Sequence, residues 1–395
     1  MQVVIKEIEN RMDFEPFSNL HLVSELRCGM LQLGEKIEHY FSNCEIVFHC
    51  NNSVLFDSFL IRTNKKSKKI KENVSTLVLN SNVLINKETH KEIIKAITTE
   101  TSNTIILDKK QNEIGCYFKN FDLSKMKMDK DDFKKVTIKY NCVINFIWEL
   151  FDLIGGEIEK DFNNCVKNKS NFSDKIGDGI YLNKSAKIGR GVVFDSSKGK
   201  IIIDEMATVM PLSFIEGPCY IGKRTIIKAG AVIYKNCCFG PFCKIGGEID
   251  NSIFQGYSNK QHNGFIGNSF VSEWVNIGAG TSNSDLKNNY SNVTIHLADK
   301  KIDTRKRFIG VVIGDHSKTA INTSLNTGSI IGIFSNVAKV GLTEKYIPPF
   351  SWISEKATEK YDLQRAILTA KVVMNRRHKE LLFEEQQLIS DCYMK

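Results

Sequence analysis

The chain has 395 residues, enough for two or more domains, and 42% of them are hydrophobic, as in an ordinary globular protein. Its formal net charge of +9 can attract polyanions such as nucleic acid, nucleotides or coenzyme A. No stretch approaches the ~18 apolar residues that span a bilayer, and the first residues lack an apolar signal core. We therefore expect a cytoplasmic protein without a membrane partner. We also expect no nucleic-acid partner.

Cysteine spacing argues against a metal site. The eleven cysteines form no C-x-x-C pair, and the densest group is Cys237, Cys238 and Cys243. Small thiols at buried positions of a reduced protein explain this pattern better than metal ligands do. The basic run "KKSKKIK" at 65–71 has the composition of a solvated loop.

Residues 1–170 alternate between strand-like and helix-like segments. "VVIKEI", "CEIVFHC", "STLVLNSNVLI" and "NTIILD" have strand composition, and "LVSELRCGMLQLGEKIEHYF" and "KETHKEIIKAITTE" have helical composition. Such alternation predicts an open α/β layer. We interpret it as an α/β N-terminal domain, a reduced nucleotidyltransferase-like fold.

A period of six dominates the middle of the chain. Every sixth residue is apolar in the series Ile203, Val209, Ile215, Ile221, Ile227, Ile233, Phe239 and Ile245. Four places after each lie Ala207, Ser213, Cys219, Thr225, Ala231, Cys237, Cys243 and Ile249, all small except the last. Neither a helix nor an ordinary strand has this period, so hexapeptide repeats of a parallel β-helix are predicted for residues 171–345.

The period fails in two places and gives way to helical spacing at the end. Residues 251–264 and the polar, basic residues 282–307 leave the six-residue count, which predicts two projecting excursions where binding groups would concentrate. In the tail, residues 346–395, Leu363, Ile367 and Ala370 have helical spacing. A long C-terminal α-helix anchored by Trp352 is therefore predicted.

His262 stands among polar residues in "YSNKQHNGFIGNS", thirteen residues before Val275 of "VNIGAGT". This spacing resembles the acetyltransferase domain of the bifunctional enzymes that make UDP-N-acetylglucosamine. With "GDHSKTAINTSLNTGSIIG", "LVSELRCGMLQLGEK" and "PPFSWI", the chain is also similar to putative sugar nucleotidyltransferases with a degenerate first domain. The resemblance implies a left-handed coil, a homotrimer and a catalytic histidine at position 262.

The resemblance also implies roles for two neighbours of His262. The backbone N–H of Ala279 would stabilise the oxyanion, and Asn276 would contact the sugar. The family's Asn-Tyr pair has no match in register, and the nearest pair is Asn289-Tyr290. A family tyrosine is replaced by Phe265, which removes a hydroxyl.

Phosphate groups on a sugar or on coenzyme A require cations. Lys244, Lys260 and Lys287 are candidates for the sugar phosphate because they lie in the coils and the excursion nearest His262 in sequence. Candidates for the phosphates of coenzyme A are Lys318, Arg305, Lys306 and Arg307. His316 is a second candidate base, although its place in a regular hexapeptide predicts a surface histidine of the coil.

The N-terminal domain departs from a working sugar nucleotidyltransferase. Its first forty residues contain Gly29 and Gly34 but no G-x-G-T-R-M loop to cradle phosphates. Arg27 and Lys36 are candidate remnants of the basic groups, and Asp57 and Asp108 are candidate ligands for Mg²⁺ only if the domain is active. An assembly or binding role is the favoured interpretation.

Three functions follow from these patterns. The leading hypothesis is a trimeric acyltransferase that moves an acyl group, in the first instance acetyl from acetyl-CoA, to an amino sugar or sugar phosphate with His262 as general base. The second is a sugar-1-phosphate nucleotidyltransferase or a bifunctional enzyme. The third is a non-catalytic scaffold that binds a sugar or nucleotide.

Overall fold

The computed structural model describes residues 1–99, 102–123, 132–166, 172–173 and 177–395. The chain divides into two compact units. Unit 1 comprises Met1–Asp13, His21–Leu26 and Leu31–Asn145, and unit 2 comprises Phe14–Leu20, Arg27–Met30 and Phe146–Lys395. The predicted boundary between 170 and 171 lies outside the described residues, so the domain limits remain predictions. No helix in the described ranges is long and apolar enough to cross a membrane.

Unit 1 is a mixed six-stranded sheet with helices, as the alternating pattern predicts. The strand order is Glu45–His49, Gln2–Lys6, Thr76–Asn80, Glu113–Phe118, Thr104–Leu107 and Lys134–Thr137. Gln2–Lys6 pairs in parallel with both of its neighbouring strands. Glu113–Phe118 pairs antiparallel with both of its neighbouring strands. Alternate strand residues such as Val3 and Val4 enter two different core clusters, so the sheet is covered on both faces.

The helices of unit 1 are Leu33–Tyr40, Ser53–Thr63 and Lys87–Thr99. The third helix confirms the prediction from "KETHKEIIKAITTE". The prediction of one helix over 22–41 was wrong, because Gly29 adopts a left-handed φ of 86° and regular α-helix begins only at Leu33. The second helix was not predicted. Its N-terminus is capped by Asn52, whose side chain accepts from the Leu55 N–H at 3.0 Å.

Unit 2 includes the helix Ile154–Asp161 and contains a left-handed parallel β-helix with three faces. The strands of the first face are Ile180–Asn183, Ile201–Ile203, Cys219–Ile221, Cys237–Phe239, Ile253–Phe254, Phe270–Val271, Val311–Ile313, Ser329–Ile331 and Tyr346–Ile347, with Phe172–Ser173 antiparallel at one edge. Those of the second face are Lys187–Ile188, Thr208–Val209, Ile226–Ile227, Lys244–Ile245, Asn259–Lys260, Lys318–Thr319, Asn336–Val337 and Ser351–Ile353, with Thr358–Lys360 antiparallel at one edge. Those of the third face are Val193–Asp195, Phe214–Glu216, Val232–Ile233, Glu248–Asp250, Phe265–Gly267, Ser282–Asn283 and Ser324–Leu325.

The interior of the prism confirms the period of six. All sixteen apolar and small residues of the two predicted series are at most 1% exposed. Apolar side chains from the three faces form one continuous cluster along the β-helix. Each coil is stabilised by parallel pairing with the next, for example Ile227 with Ile245 on the second face.

The prediction that residues 251–264 project from the prism was wrong. The prism continues through it, but the coil is shorter: Phe239 pairs with Phe254, 15 residues later, whereas Ile221 pairs with Phe239, 18 residues later. A fixed count of six residues therefore no longer predicts the inward positions of this coil, although its strands still pair. The second excursion is present within residues 282–307, where Thr294–His296 and Lys301–Asp303 form an antiparallel hairpin.

Aromatic rings stack along the corner between the first and second faces. Their order is Phe242, Tyr257, Trp274, His316, Phe334 and Phe350, with neighbouring centroids 4.4–6.1 Å apart. Each has a left-handed φ between 55° and 61°, a conformation that favours glycine or asparagine. Stacking with the rings of adjacent coils stabilises side chains at these unusual positions.

The tail is helical, as predicted, but it forms two helices, Leu363–Asn375 and Phe383–Met394, instead of one long helix. The chain turns away at His378, whose φ of 54° is left-handed. The Lys379 N–H donates to the Met374 carbonyl and so closes the end of the first helix. Ala366, Ile367, Ala370 and Met374 form the buried stripe of the first tail helix. Trp352 is 44% exposed and packs against Tyr361.

Candidate active site

His262 lies on the corner between the second and third faces, and its side chain is exposed. The following coil brings Ala279 and Gly280 to the same corner, where the Gly280 N–H donates to the Asn263 carbonyl at 3.0 Å. The structure thus places His262 and Ala279 on successive coils of one corner. The role of Ala279 in stabilising an oxyanion remains a prediction.

The coil before His262 has an unusually short turn at this corner. Only Gly246 and Gly247 separate the strands that end at Ile245 and begin at Glu248, whereas four residues separate the equivalent strands before and after. Gly247 has a φ of 73°, and a β-carbon there would lie 2.6 Å from the His262 carbonyl oxygen. The short glycine turn therefore lets the backbone that carries His262 approach closely.

Lys260 is buried, contrary to its prediction as a solvent-facing ligand for phosphate. It is 1% exposed and pairs with Ile245 across adjacent coils, at a position that the repeat gives to an apolar side chain. Its ammonium group donates to the carbonyls of Gly246, His262 and Asn263 at 3.1, 2.8 and 3.3 Å. Burial lowers the pKa of Lys260 to about 8.

Two predicted substrate ligands, Lys244 and Asn276, meet in a small cleft on the second face. On adjacent coils Lys244 pairs with Asn259, and Asn259 forms a bridge with Asn276. Side chains at such paired positions point to the same side of the sheet. The cleft has a volume of about 60 Å³ and is lined by Lys244, Tyr257, Asn259, Gln261, Trp274, Asn276, Val373, Arg376 and Arg377.

The two arginines of this cleft follow the first tail helix, and the sequence analysis missed them. Arg377 donates to the Asn259 side-chain oxygen at 3.3 Å, although 118 residues separate the two in the chain. Burial, then Arg377, Arg376 and Lys228, lower the pKa of Lys244. No carboxylate lines this cleft in the described ranges, so its charge is strongly positive. The basic run "NRRHK" is visible in the sequence, but nothing there indicates which coil it contacts.

Lys318 extends the same polar face by one coil. It forms a bridge with Asn276, and its ammonium group donates to the His316 carbonyl at 2.8 Å. Burial lowers the pKa of Lys318 to about 8. A role in binding coenzyme A remains a prediction for this residue.

The remaining predicted ligands lie on the second excursion. It leaves the prism between Ser282–Asn283 on the third face and Val311–Ile313 on the first face, and so emerges from a different corner than the one that carries His262. Lys287, Asn289, Tyr290, Arg305 and Arg307 all belong to it. Tyr290 is 66% exposed and Arg307 lines a separate cleft of about 530 Å³. Within one chain these residues are not brought to the corner of His262.

His316 is not the surface histidine that its hexapeptide position suggested. It is 3% exposed and stacks between Trp274 and Phe334, with ring centroids 6.1 and 4.6 Å away. The left-handed corner turns the ring into the aromatic stack rather than outward. A buried ring in this position has no open space for an acceptor, so His316 is a poor candidate base.

The basic residues suggested as remnants of a nucleotidyltransferase site are buried. In unit 1, Lys36 is 0% exposed. In unit 2, Arg27 is 7% exposed and donates to the Met30 carbonyl. Within unit 1, Arg11 lies 3.1 Å from the Glu7 carboxylate and Arg62 lies 2.8 Å from Glu25. These arginines are engaged with buried carboxylates.

The candidate magnesium ligands do not fit a metal site. Asp57 is an exposed residue of the helix Ser53–Thr63. Asp108 is 0% exposed, and its carboxylate accepts from the N–H groups of Lys110 and Asn112 and from the Asn112 amide. These hydrogen bonds to the Asp108 carboxylate stabilise a turn. Across the described residues, no group of three His, Cys, Asp or Glu side chains is placed to hold a metal ion.

Comparison with protein families identifies what the N-terminal part of the chain is similar to. Residues 3–170 match the sugar nucleotidyl transferase family. The chain is 33% identical over 154 residues to a bifunctional sugar-1-phosphate nucleotidylyltransferase/acetyltransferase of Sulfurisphaera tokodaii, covering 35% of each chain. It is 28% identical over 190 residues to the bifunctional protein GlmU of Wigglesworthia glossinidia brevipalpis, covering 47% of this chain and 35% of that one. The resemblance found in the sequence is thereby confirmed.

A longer match extends over much of the chain. The GlmU protein of Buchnera aphidicola is 26% identical over 310 residues, which cover 71% of this chain and 64% of that protein. The chain spans about a third of the length of the first two relatives. Their names describe transferases.

Solved structures show distant likeness. A UDP-N-acetylglucosamine acyltransferase of Francisella novicida is 14% identical, with a TM-score of 0.21, over 54% of this chain and 86% of that one. A GDP-perosamine N-acetyl transferase of Caulobacter crescentus, solved with CoA and GDP-perosamine, is 13% identical, with a TM-score of 0.13, over 46% and 56%.

Proposed function

We propose that unit 2 is an acyltransferase that uses an acyl-CoA donor, acetyl-CoA in the first instance, and an amino sugar or sugar phosphate as acceptor. One observation carries this proposal. The exposed imidazole of His262 directly follows Gln261, which lines a cleft containing Lys244, Asn276 and Arg377. A base beside a cationic, amide-rich cleft suits an acceptor that bears both a nucleophile and a phosphate.

The chemistry follows from these groups. The acceptor's amino or hydroxyl group attacks the thioester carbonyl while the His262 imidazole removes its proton. The carbonyl oxygen becomes negative in the tetrahedral state, where the backbone N–H of Ala279 is our candidate donor. The carbon–sulfur bond then breaks, and the imidazolium returns its proton to the departing coenzyme A thiolate. The net products are the acylated acceptor and free coenzyme A.

The phosphate of the acceptor is assigned to the cleft on the second face. Lys244 and Arg377 supply charge, and Asn276 supplies an amide that both donates and accepts hydrogen bonds. Lys318, on the next coil, is assigned to a phosphate of coenzyme A. Lys287, Asn289, Tyr290, Arg305 and Arg307 are assigned to a neighbouring subunit's site, since within one chain they leave the prism at another corner.

A homotrimer is part of the proposal. Leu212, Ile321 and Val340 lie on the corner that carries His262, in coils before and after it, and are 74%, 70% and 75% exposed. An apolar stripe along one corner of a solenoid is a surface that a second copy would cover. Packing of another subunit there would wall the site beside His262.

The substitution His262→Asn tests the base. We expect the rate of coenzyme A release, measured with acetyl-CoA and a panel of amino sugars and sugar phosphates, to fall by about 10²–10⁴-fold in kcat. His39→Asn, which changes a histidine of the helix Leu33–Tyr40 in unit 1, serves as the control and should retain activity. Wild-type turnover in His262→Asn, or its equal loss in the control, would contradict the assignment. No release by the wild type with any acceptor would favour a binding scaffold.

A second candidate function rests on the family match over residues 3–170. It is transfer of a nucleotidyl group from an NTP to a sugar 1-phosphate in unit 1, with release of pyrophosphate. A coupled pyrophosphate assay on the whole chain with each NTP and Mg²⁺ separates this function from acyl transfer. Pyrophosphate release that survives His262→Asn would assign the activity to unit 1.

A further inference from the structure

Lys260 occupies an interior position of the β-helix that every regular repeat gives to an apolar or hydroxyl side chain. On the second face it follows Ile227 and Ile245 in the same inward column. Burying an ammonium group costs several kcal/mol unless hydrogen bonds compensate. The compensation is visible, because all three of its hydrogen bonds reach backbone carbonyls at one corner, those of Gly246, His262 and Asn263.

Other coils show what this lysine replaces. At the same corner, the Ser213 hydroxyl donates to the carbonyls of Met210 and Lys228 at 2.9 and 3.0 Å. The Thr323 hydroxyl donates to the Ala320 carbonyl at 2.9 Å. In the coil of His262 the matching position is Gly264, which has no side chain. Lys260 therefore supplies the donor that the corner lacks.

The short Gly246–Gly247 turn explains why a lysine is suited to this position. With two residues missing from that turn, carbonyls of two successive coils converge on the Lys260 ammonium group. Lys260 reaches them from the second face, and its ammonium group carries three donors for three acceptors.

We infer that Lys260 is a positioning residue that fixes the peptide of His262, and so the imidazole, for acyl transfer. This inference rests on the proposed function of His262. One of the three acceptors is the His262 carbonyl itself, and the other two lie in the adjoining peptide and in the preceding turn. Without the ammonium group each of these carbonyls loses a hydrogen bond that holds its peptide, and a displacement of about 1 Å at a reacting group costs on the order of 100-fold in rate.

The substitution Lys260→Met tests the inference, with Ile245→Met as its matched control. Both place methionine in the same inward column on adjacent coils, but only the first removes hydrogen-bond donors from the corner. We expect Lys260→Met to lower kcat for coenzyme A release by about 10- to 100-fold with little change in KM, and Ile245→Met to leave both near wild type. Wild-type kcat in folded Lys260→Met would overturn the inference.

Hydrogen exchange gives a second measurement that needs no substrate. The Gly280 and Glu248 N–H groups donate to the Asn263 and Gly264 carbonyls of this corner, and the Gly230 N–H donates to the Pro211 carbonyl at a turn without a buried lysine. In Lys260→Met, exchange should accelerate at least about tenfold at Gly280 and Glu248 but not at Gly230. Unchanged protection at Gly280 and Glu248 would overturn the inference.

The two measurements separate this inference from the proposed function. If the wild type releases no coenzyme A with any acceptor, the proposed function fails, while exchange still decides whether Lys260 holds the corner. If Lys260→Met does not fold, Lys260→Ile replaces it in the exchange measurement, because isoleucine is the residue at the equivalent inward positions Ile227 and Ile245. Exchange at Gly280 relative to Gly230 should accelerate in that variant, and a constant ratio would contradict the inference.

Discussion

Single residues in this protein take their roles from the direction in which a coil turns them. Lys260 and His262 are two positions apart, yet one is 1% exposed and the other is an exposed corner residue. His316 likewise faces the aromatic stack although its neighbour Lys318 reaches the polar face. Residue type alone suggested that both lysines face solvent, because charged side chains rarely lie inside without partners. The three carbonyls that bind the Lys260 ammonium group come together only where two coils meet.

The buried lysine predicts how stability depends on pH. Burial lowers the pKa of Lys260 to about 8 in the folded chain, from an ordinary value of 10.5. The folded state therefore releases this proton at lower pH than the unfolded state does. Between pH 8 and 10.5 its contribution to the free energy of unfolding should rise with pH, by up to about 3 kcal/mol. Denaturant unfolding of the wild type and Lys260→Met at pH 8, 9 and 10 measures this as the difference between the two proteins. A difference that is constant across these pH values would contradict the prediction.

At the scale of elements, the second face and the first tail helix build the cleft together. Parallel pairing aligns Lys244, Asn259 and Asn276 on successive coils. The tail helix begins at the Asp362 cap, whose carboxylate accepts from the Arg365 N–H at 2.9 Å, and ends where Arg376 and Arg377 enter the cleft. The positive charges of Lys244, Arg376 and Arg377 repel one another. An anionic ligand bound in the cleft would reduce this repulsion.

Charge reversal in the tail tests this cleft. The double substitution Arg376→Glu/Arg377→Glu should raise KM for the phosphate-bearing substrate by about 10²- to 10⁴-fold, because each of the two lost charged hydrogen bonds contributes roughly 1.5–3 kcal/mol. The value of kcat should change less, since His262 is untouched. Lys371→Glu, on the exposed side of the same helix, is the control and should behave as wild type. An unchanged KM in the double variant would remove the cleft from substrate binding.

The aromatic stack predicts a different effect, on stability alone. Phe334 is 1% exposed and stacks on His316 and Phe350. Phe334→Ala should lower the free energy of unfolding of unit 2 by about 3–5 kcal/mol because it leaves a cavity in the stack. Phe383→Ala, at a residue that is 75% exposed, should change it by less than about 0.5 kcal/mol. Chemical denaturation followed by circular dichroism compares the two, and equal losses would argue against the stack as a stabilising element.

At the scale of the whole molecule, the proposed activity depends on association of three copies. The corner with His262 is open in one chain and bears the apolar residues Leu212, Ile321 and Val340. A site used by two subunits would bring the second excursion of one copy to the corner of another. That arrangement is the condition under which Lys287 and Arg305 become ligands.

The substitution Ile321→Asp tests association. A carboxylate in the centre of an apolar contact would be desolvated without a partner, so the variant should sediment as a monomer and lose coenzyme A release together. Ile61→Asp changes a residue of unit 1 that is 52% exposed and should preserve the wild-type mass. A wild-type chain that sediments as a monomer would contradict the shared site.

The amino-acid sequence determined the prism and the inward residues of its regular coils. A repeat of six is a local signal, because each coil contacts only its neighbours and the same spacing recurs along the chain. Where the spacing changes to 15 residues per coil, the count failed although pairing continued. The sequence also indicated the α/β alternation of unit 1, but it placed one helix over a left-handed glycine.

Only the tertiary structure decided which charged groups act together. Arg377 meets Asn259 from 118 residues away, and the carbonyls around Lys260 come from two coils whose separation depends on a shortened glycine turn. Such contacts depend on how separate elements pack, and no spacing within one segment encodes that. The repeat thus fixed the prism, while packing decided the corner of His262, the lysine that holds it and the arginines beside it.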